Sequence, residues 1–121
     1  MSNPVKNQPF HRRLSFAVAG MVSALRTERS FRIQVLAAIA VLLVLLWVRP
    51  APVWWALVAL SIAGVLAAEL INTAIESLAD HLHPEQHPSI KIAKDCAAAA
   101  VLIASIGALA VAAAFLSSLL I

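Results

Sequence analysis

Apolar positions fill three long runs of this chain, and the short breaks between them carry most of its polar residues. Ahead of the first run, Leu14, Val18, Met21 and Leu25 recur at helical spacing, while Arg12, Ser15, Ser23 and Arg26 lie largely on other faces. The pattern predicts a basic amphipathic helix over about residues 10–27, lying in a membrane interface. Residues 1–9, with Asn, Gln and two prolines, predict a disordered lead-in. The first run covers about residues 31–48, with only Arg32 and Gln34 polar, both near its start. It is barely long enough to cross a bilayer, which takes about 20 apolar residues. The second run starts near Pro52, stays apolar to Ala68, and continues as a helix with polar positions to about Asp80. The third, rich in alanine, extends from about Lys91 to the C-terminus, and the proline- and histidine-bearing stretch His81–Ile90 reads as a loop. Trp47, Trp54 and Trp55 bracket the Arg49–Pro52 turn, as an aromatic belt does at a membrane face. The expected fold is an all-α integral membrane protein. It has an interfacial helix and three spans, at about 31–48, 53–80 and 91–120, in one domain over residues 10–121.

Composition sharpens this. Charged residues make up 12% of the 121 and hydrophobic ones 62%, whereas a soluble domain carries about 25% charged residues. The three glycines, Gly20, Gly64 and Gly107, leave no room for a P-loop or a dinucleotide fingerprint. The single cysteine, Cys96, excludes an intrachain disulfide and reads as a small packing residue in an alanine run. Lys6, Arg12, Arg13, Arg26, Arg29, Arg32, Lys91 and Lys94 fall on one side of a three-span chain, and Arg49 alone on the other. The positive-inside rule then puts the N-terminus and the 81–94 loop in the cytoplasm. These cations flank spans rather than forming a basic domain, so nucleic acid is a poor partner.

Glu69, Asn72, Thr73, Glu76 and Asp80 form one stripe at helical spacing on the middle span. Ionisable groups inside a span cost about 2.5–3.5 kcal/mol each on insertion scales, so they face partners or a wet site. Carboxylates near a membrane surface suit Mg²⁺, which takes one or two of them and fills its other positions with water and phosphate oxygens. Glu76 and Glu28, the latter just before the first span, lie at similar depth and suit Mg²⁺ held against a triphosphate. Glu69, about two turns deeper, suits a general base that takes a proton from an alcohol. Lys94, opening the third span, either neutralises phosphate charge or pairs with Asp80. His81, His83 and His87 read as surface-loop residues, since prolines break their spacing and no cysteine joins them. A buried Glu69 also fits an alternative of another class, a small oligomeric proton-coupled transporter. That reading leaves Glu28, Lys94 and Asp95 at one surface without a purpose.

The segment Glu69-Leu-Ile-Asn72-Thr-Ala-Ile-Glu76-Ser-Leu-Ala-Asp80, with Lys91-Ile-Ala-Lys94-Asp95 and Arg26-Thr-Glu28-Arg29-Ser-Phe31, resembles the prokaryotic diacylglycerol kinase family, which includes undecaprenol kinases. The resemblance covers roughly residues 10 to 120. It implies a homotrimer in the bacterial inner membrane, with sites shared between subunits, that moves the γ-phosphate of MgATP to a lipid hydroxyl. It implies Glu69 as catalytic base and Glu28 and Glu76 as metal carboxylates. By the same resemblance, Glu28, Glu76, Glu85, His87, Lys94 and Asp95 meet the nucleotide, and Asn72 and Asp80 support the site. Ser30, Phe31 and Ala98, with Glu69, meet the lipid. Diacylglycerol and undecaprenol both stay open as substrates. Ala63-Gly64, Ala67-Ala68 and the alanines of the third span supply the small residues that close helix contacts require.

Overall fold

A computed structural model describes residues 7–121, so the lead-in expected over residues 1–9 lies outside the described residues as far as residue 6. The chain forms four helices, α1 (Phe10–Thr27), α2 (Arg29–Val48), α3 (Pro52–Leu82) and α4 (Pro88–Leu120). The last three are long and apolar enough to cross a membrane. The spans are longer than the apolar runs alone suggest. α2 opens at Arg29 rather than Phe31, and α4 opens at Pro88 rather than Lys91. The loop between α3 and α4 is therefore His83–His87, shorter than the predicted His81–Ile90.

Local chemistry explains these boundaries. Pro52 and Pro88 sit at the first positions of α3 and α4, where the missing N–H is not needed and φ is already helical. The His87 ring Nδ1 accepts from the Ser89 N–H at 3.1 Å and so caps α4. α2 ends at Arg49, which takes the left-handed conformation (φ 54°, ψ 58°) and returns its N–H to the Leu45 carbonyl. Between α1 and α2 the chain breaks at one residue, Glu28, with extended backbone at φ −109° and ψ 109°. The Arg32 guanidinium Nη1 spans that break and donates to the carbonyls of Leu25 (2.9 Å) and Arg26 (3.1 Å).

α3 is the central element: α2 and α4 both pack on it, and α1 touches α2 and α3. At one end Leu45, Val58 and Phe115 are buried, with Trp54 meeting Phe115 edge to face at 5.4 Å between ring centroids. Between α2 and α4 lies an apolar groove of about 570 Å³ that runs from Phe115 and Leu45 up to Gln34. α1 buries only Ala24 and leaves Phe10, Leu14, Phe16, Val18 and Met21 exposed, the apolar stripe seen in its sequence.

Length decides depth. At 1.5 Å per residue, the 20 residues of α2 reach about 30 Å, one hydrocarbon thickness, and the 31 of α3 about 46 Å. Counted from Pro52, about 20 residues of α3 cover one hydrocarbon thickness, which puts Asn72 near the far end of such a span. Glu69 lies about one turn short of that point along α3, and Glu76 and Asp80 lie past it.

Candidate active site

The stripe on α3 is where the burial of polar groups concentrates. Glu69 is only 5% exposed and Asn72 9%, the two buried polar residues among those described. Each is half of an amide–carboxylate pair. Gln34 of α2 donates from Nε2 to Glu69 Oε2 at 3.3 Å, and Asn72 donates from Nδ2 to Glu76 Oε1 at 3.4 Å. Both bonds are long for N–H···O. The leftover atoms are all acceptors or hydroxyl: Gln34 Oε1, Asn72 Oδ1 and Thr73 Oγ1 are buried without a partner. Buried polar atoms are nearly always satisfied, so three orphans in one place call for an explanation. The amides have given their N–H groups to carboxylates, and what remains can bind only donors or a cation. Such oxygens can accept from an alcohol or a water, or help to hold a hard cation.

Helix register connects Glu28 to it. From the Gln34–Glu69 contact, six residues back reach Glu28, just before α2 begins, and seven forward along α3 reach Glu76. These steps are roughly 9 and 10 Å in the same direction. Glu28 and Glu76 are both half-buried. Among the described residues, no group of three or more His, Cys, Asp and Glu gathers closely enough to hold a metal.

The nucleotide residues implied by the resemblance divide. Glu85, His87 and Lys94 line one depression of about 550 Å³ between the 83–87 loop and the start of α4. Lys94 bonds Asp80 across the α3–α4 interface, the second of its two expected roles, in a pair whose side chains are 35% and 66% exposed. Asp95 is held by Lys91 at 2.6 Å on the surface of α4. His83 and His87 stack edge to face at 5.5 Å, and His83 Nδ1 lies 2.8 Å from the Glu85 carbonyl. Of the lipid residues, Ser30 and Ala98 are exposed, while Phe31 is 3% exposed and belongs to the packing beside the α1–α2 break. Two side chains of α2 do more than their sequence pattern indicates. Gln34, noted only as polar, reaches the buried carboxylate, and Arg32, counted only as a topology charge, clamps α1. An amide within an apolar run was the available signal for Gln34.

The family model for prokaryotic diacylglycerol kinase matches residues 15–116, which include the stripe, the break at Glu28 and Lys94. The chain belongs to the prokaryotic diacylglycerol kinase family. It is similar to undecaprenol kinase of Bacillus subtilis (strain 168), 39% identical over 92 residues, 76% of this chain and 75% of that protein. It is 40% identical over 97 residues to a diacylglycerol kinase of Synechocystis, 79% of this chain but 55% of that longer protein. A diacylglycerol kinase of Pseudomonas aeruginosa is 32% identical over 106 residues, 84% of this chain and 86% of that protein. Membership makes the chain an enzyme of the lipid kinase class. It gives no support to the proton-coupled transporter.

Proposed function

We propose that this kinase moves the γ-phosphate of ATP to the hydroxyl of a membrane lipid, diacylglycerol (giving phosphatidic acid) or undecaprenol (giving undecaprenyl phosphate), with Glu69 as general base. The observation that carries this is the state of Glu69. It is a carboxylate 5% exposed, held by an amide, with no cation pairing it among the described residues. A carboxylate so placed, about one turn short of the end of a hydrocarbon-length span, meets a lipid hydroxyl at the depth where its hydrocarbon tail remains in lipid. The apolar groove that ends at Gln34 gives that tail a surface to follow.

The lipid O–H donates its proton to Glu69 as its oxygen forms a bond to the γ-phosphorus. The bond from that phosphorus to the bridging oxygen breaks, and ADP leaves. Phosphoryl transfer is catalysed mainly by positioning and by offsetting charge. The donor set fits Mg²⁺: carboxylates Glu28 and Glu76, and the orphaned oxygen of Asn72 beside Glu76. Glu28, Glu76 and Asn72 would hold Mg²⁺, which would supply positive charge to offset that of the phosphates. Lys94 supplies a cation to the phosphates and is held ready by Asp80. Glu85, His87 and Asp95 border the nucleotide, and Ser30, Phe31 and Ala98 border the lipid.

The same reading takes residues 10–121 as one domain in the bacterial inner membrane, with α1 in the interface and the N-terminus and site facing the cytoplasm. It also takes the working unit as a homotrimer with shared sites. Support comes from the bare face of α3, where Ala63, Gly64 and Ala67 are exposed and a Cβ at Gly64 would meet nothing within 4 Å. The test is transfer of label from γ-³²P ATP to diacylglycerol and to undecaprenol in mixed micelles, with Mg²⁺ and with EDTA. Labelling of at least one lipid only with Mg²⁺, and a loss of about 10²–10⁴-fold in Glu69→Gln, are expected. Full turnover in Glu69→Gln would remove the base from the mechanism.

A further inference from the structure

Gln34 is the one side chain of α2 that reaches Glu69, and it does so with half of its amide. Its other half, Oε1, is buried at the end of the apolar groove with no donor. An amide kept only to join two helices would satisfy both ends, because a buried acceptor without a partner is costly. The charged groups of the three helices are engaged elsewhere and do not answer for it. On α3, Glu76 is engaged by Asn72. From α4, Lys94 is taken by Asp80 and Asp95 by Lys91. On α2, Arg32 is committed to the carbonyls of Leu25 and Arg26, and Glu28 stands at the helix break. Within one chain Oε1 has no donor, which leaves it free to accept from a partner that appears during turnover.

We infer that Gln34 is a positioning residue for Glu69 whose amide serves both states of the base: Nε2–H holds the carboxylate before proton transfer, and Oε1 accepts from the carboxylic acid after it. A primary amide presents a donor and an acceptor that exchange places on rotation about its last side-chain bond. Before the reaction Glu69 has only acceptors, and Gln34 turns its donor to it. Once the lipid proton has moved to Glu69, that O–H becomes a donor, and rotation brings the idle Oε1 to receive it. The proton leaves Glu69 to water when the phosphorylated lipid departs, and the amide turns back. No other atom is gained or lost. The long 3.3 Å contact suits a bond that must break and reform each cycle.

This inference rests on Glu69 as the base, and the experiment separates the two claims. Steady-state kinetics in mixed micelles, with the lipid that the wild-type enzyme phosphorylates, are measured for Gln34→Leu, Gln34→Glu, Glu69→Gln and both double variants. Gln34→Leu is expected to lower kcat about 10–100-fold and to leave the KM for ATP within about twofold. Gln34→Glu keeps the shape but replaces the amide by a second carboxyl beside Glu69, and the pair then holds one proton between them before the lipid proton arrives. It is expected to lose at least as much kcat as Gln34→Leu. A side chain that merely packs would make this isosteric change the milder one, and that order would overturn the inference. In the Glu69→Gln background, either change at Gln34 is expected to have less than about a threefold further effect, because groups acting as a unit are not additive. Additive losses, or a matching rise in the KM for ATP, would also overturn it. If Gln34→Leu does not fold, as judged by detergent-phase thermal unfolding, the Gln34→Glu cycle decides alone. Full activity in Glu69→Gln sinks the base itself, whereas a slow Glu69→Gln with additive Gln34 variants sinks only the role of Gln34.

Discussion

Arg32 offers a sharp test of how α1 is held over the site. Its guanidinium reaches back across the break at Glu28 to two carbonyls of the last turn of α1, at 2.9 and 3.1 Å. Those carbonyls have no helical partner, and a cation at a helix C-terminus is favoured by the dipole. Arg32→Met keeps most of the stem and removes the clamp. A hydrogen bond to a charged group is worth roughly 1.5–3 kcal/mol. Arg32 is exposed, however, and water competes, so about 0.5–1 kcal/mol per bond and 1–2 kcal/mol in total is the fair expectation. That is roughly a 5–30-fold shift in the population of α1 docked against α2 and α3. Hydrogen–deuterium exchange of the micellar protein should show amides around residues 22–28 exchanging about tenfold faster, with those of α3 unchanged. The KM for MgATP should rise a few-fold, because Glu28 forms the break that Arg32 holds. Arg32→Lys, with charge but no fork, should fall between. Unchanged exchange in α1, or equal acceleration in α3, would refute this role for the clamp.

Two further outcomes follow from other contacts. Lys94→Met should raise the KM for ATP about tenfold or more while Asp80→Asn changes it less than about threefold. Both should alter thermal stability by no more than about 1 kcal/mol, since the pair is largely exposed; equal kinetic effects would show that the pair only joins the helices. Arg49→Gly should raise the melting temperature slightly, because a non-glycine residue at φ 54° costs roughly 1–2 kcal/mol and glycine almost nothing there. A lower melting temperature would mean that the arginine side chain contributes more than its backbone costs.

Much of the architecture is legible in the sequence because it depends on local or averaged properties. Whether a segment crosses a bilayer is set by the summed transfer of its own residues, so the three spans stand out without any partner. The stripe Glu69, Asn72, Glu76 and Asp80 is visible because all four share one helix and its period. Helix ends shift by a turn or less, for reasons as local as the His87 cap and Pro88. The grouping of Glu85, His87 and Lys94 is nearly as local, since all three lie on or just beyond one short loop.

Contacts between helices follow a different rule. A rotation of 100° per residue and a rise of 1.5 Å decide which side chain of α2 meets which of α3, and neither is encoded in any single segment. Gln34 and Arg32 stand two residues apart in the same first turns of α2. Yet one faces Glu69 and the other turns back to α1. The choice of Lys94 for Asp80, when Lys91 lies one turn away and takes Asp95, is likewise a matter of how α3 and α4 lie against each other. By itself the sequence determined three spans, a costly stripe of carboxylates, and the chemistry such a stripe suits. Only the tertiary structure decided that Glu69 is held by an amide rather than a cation, and that the amide's own oxygen is buried without a partner.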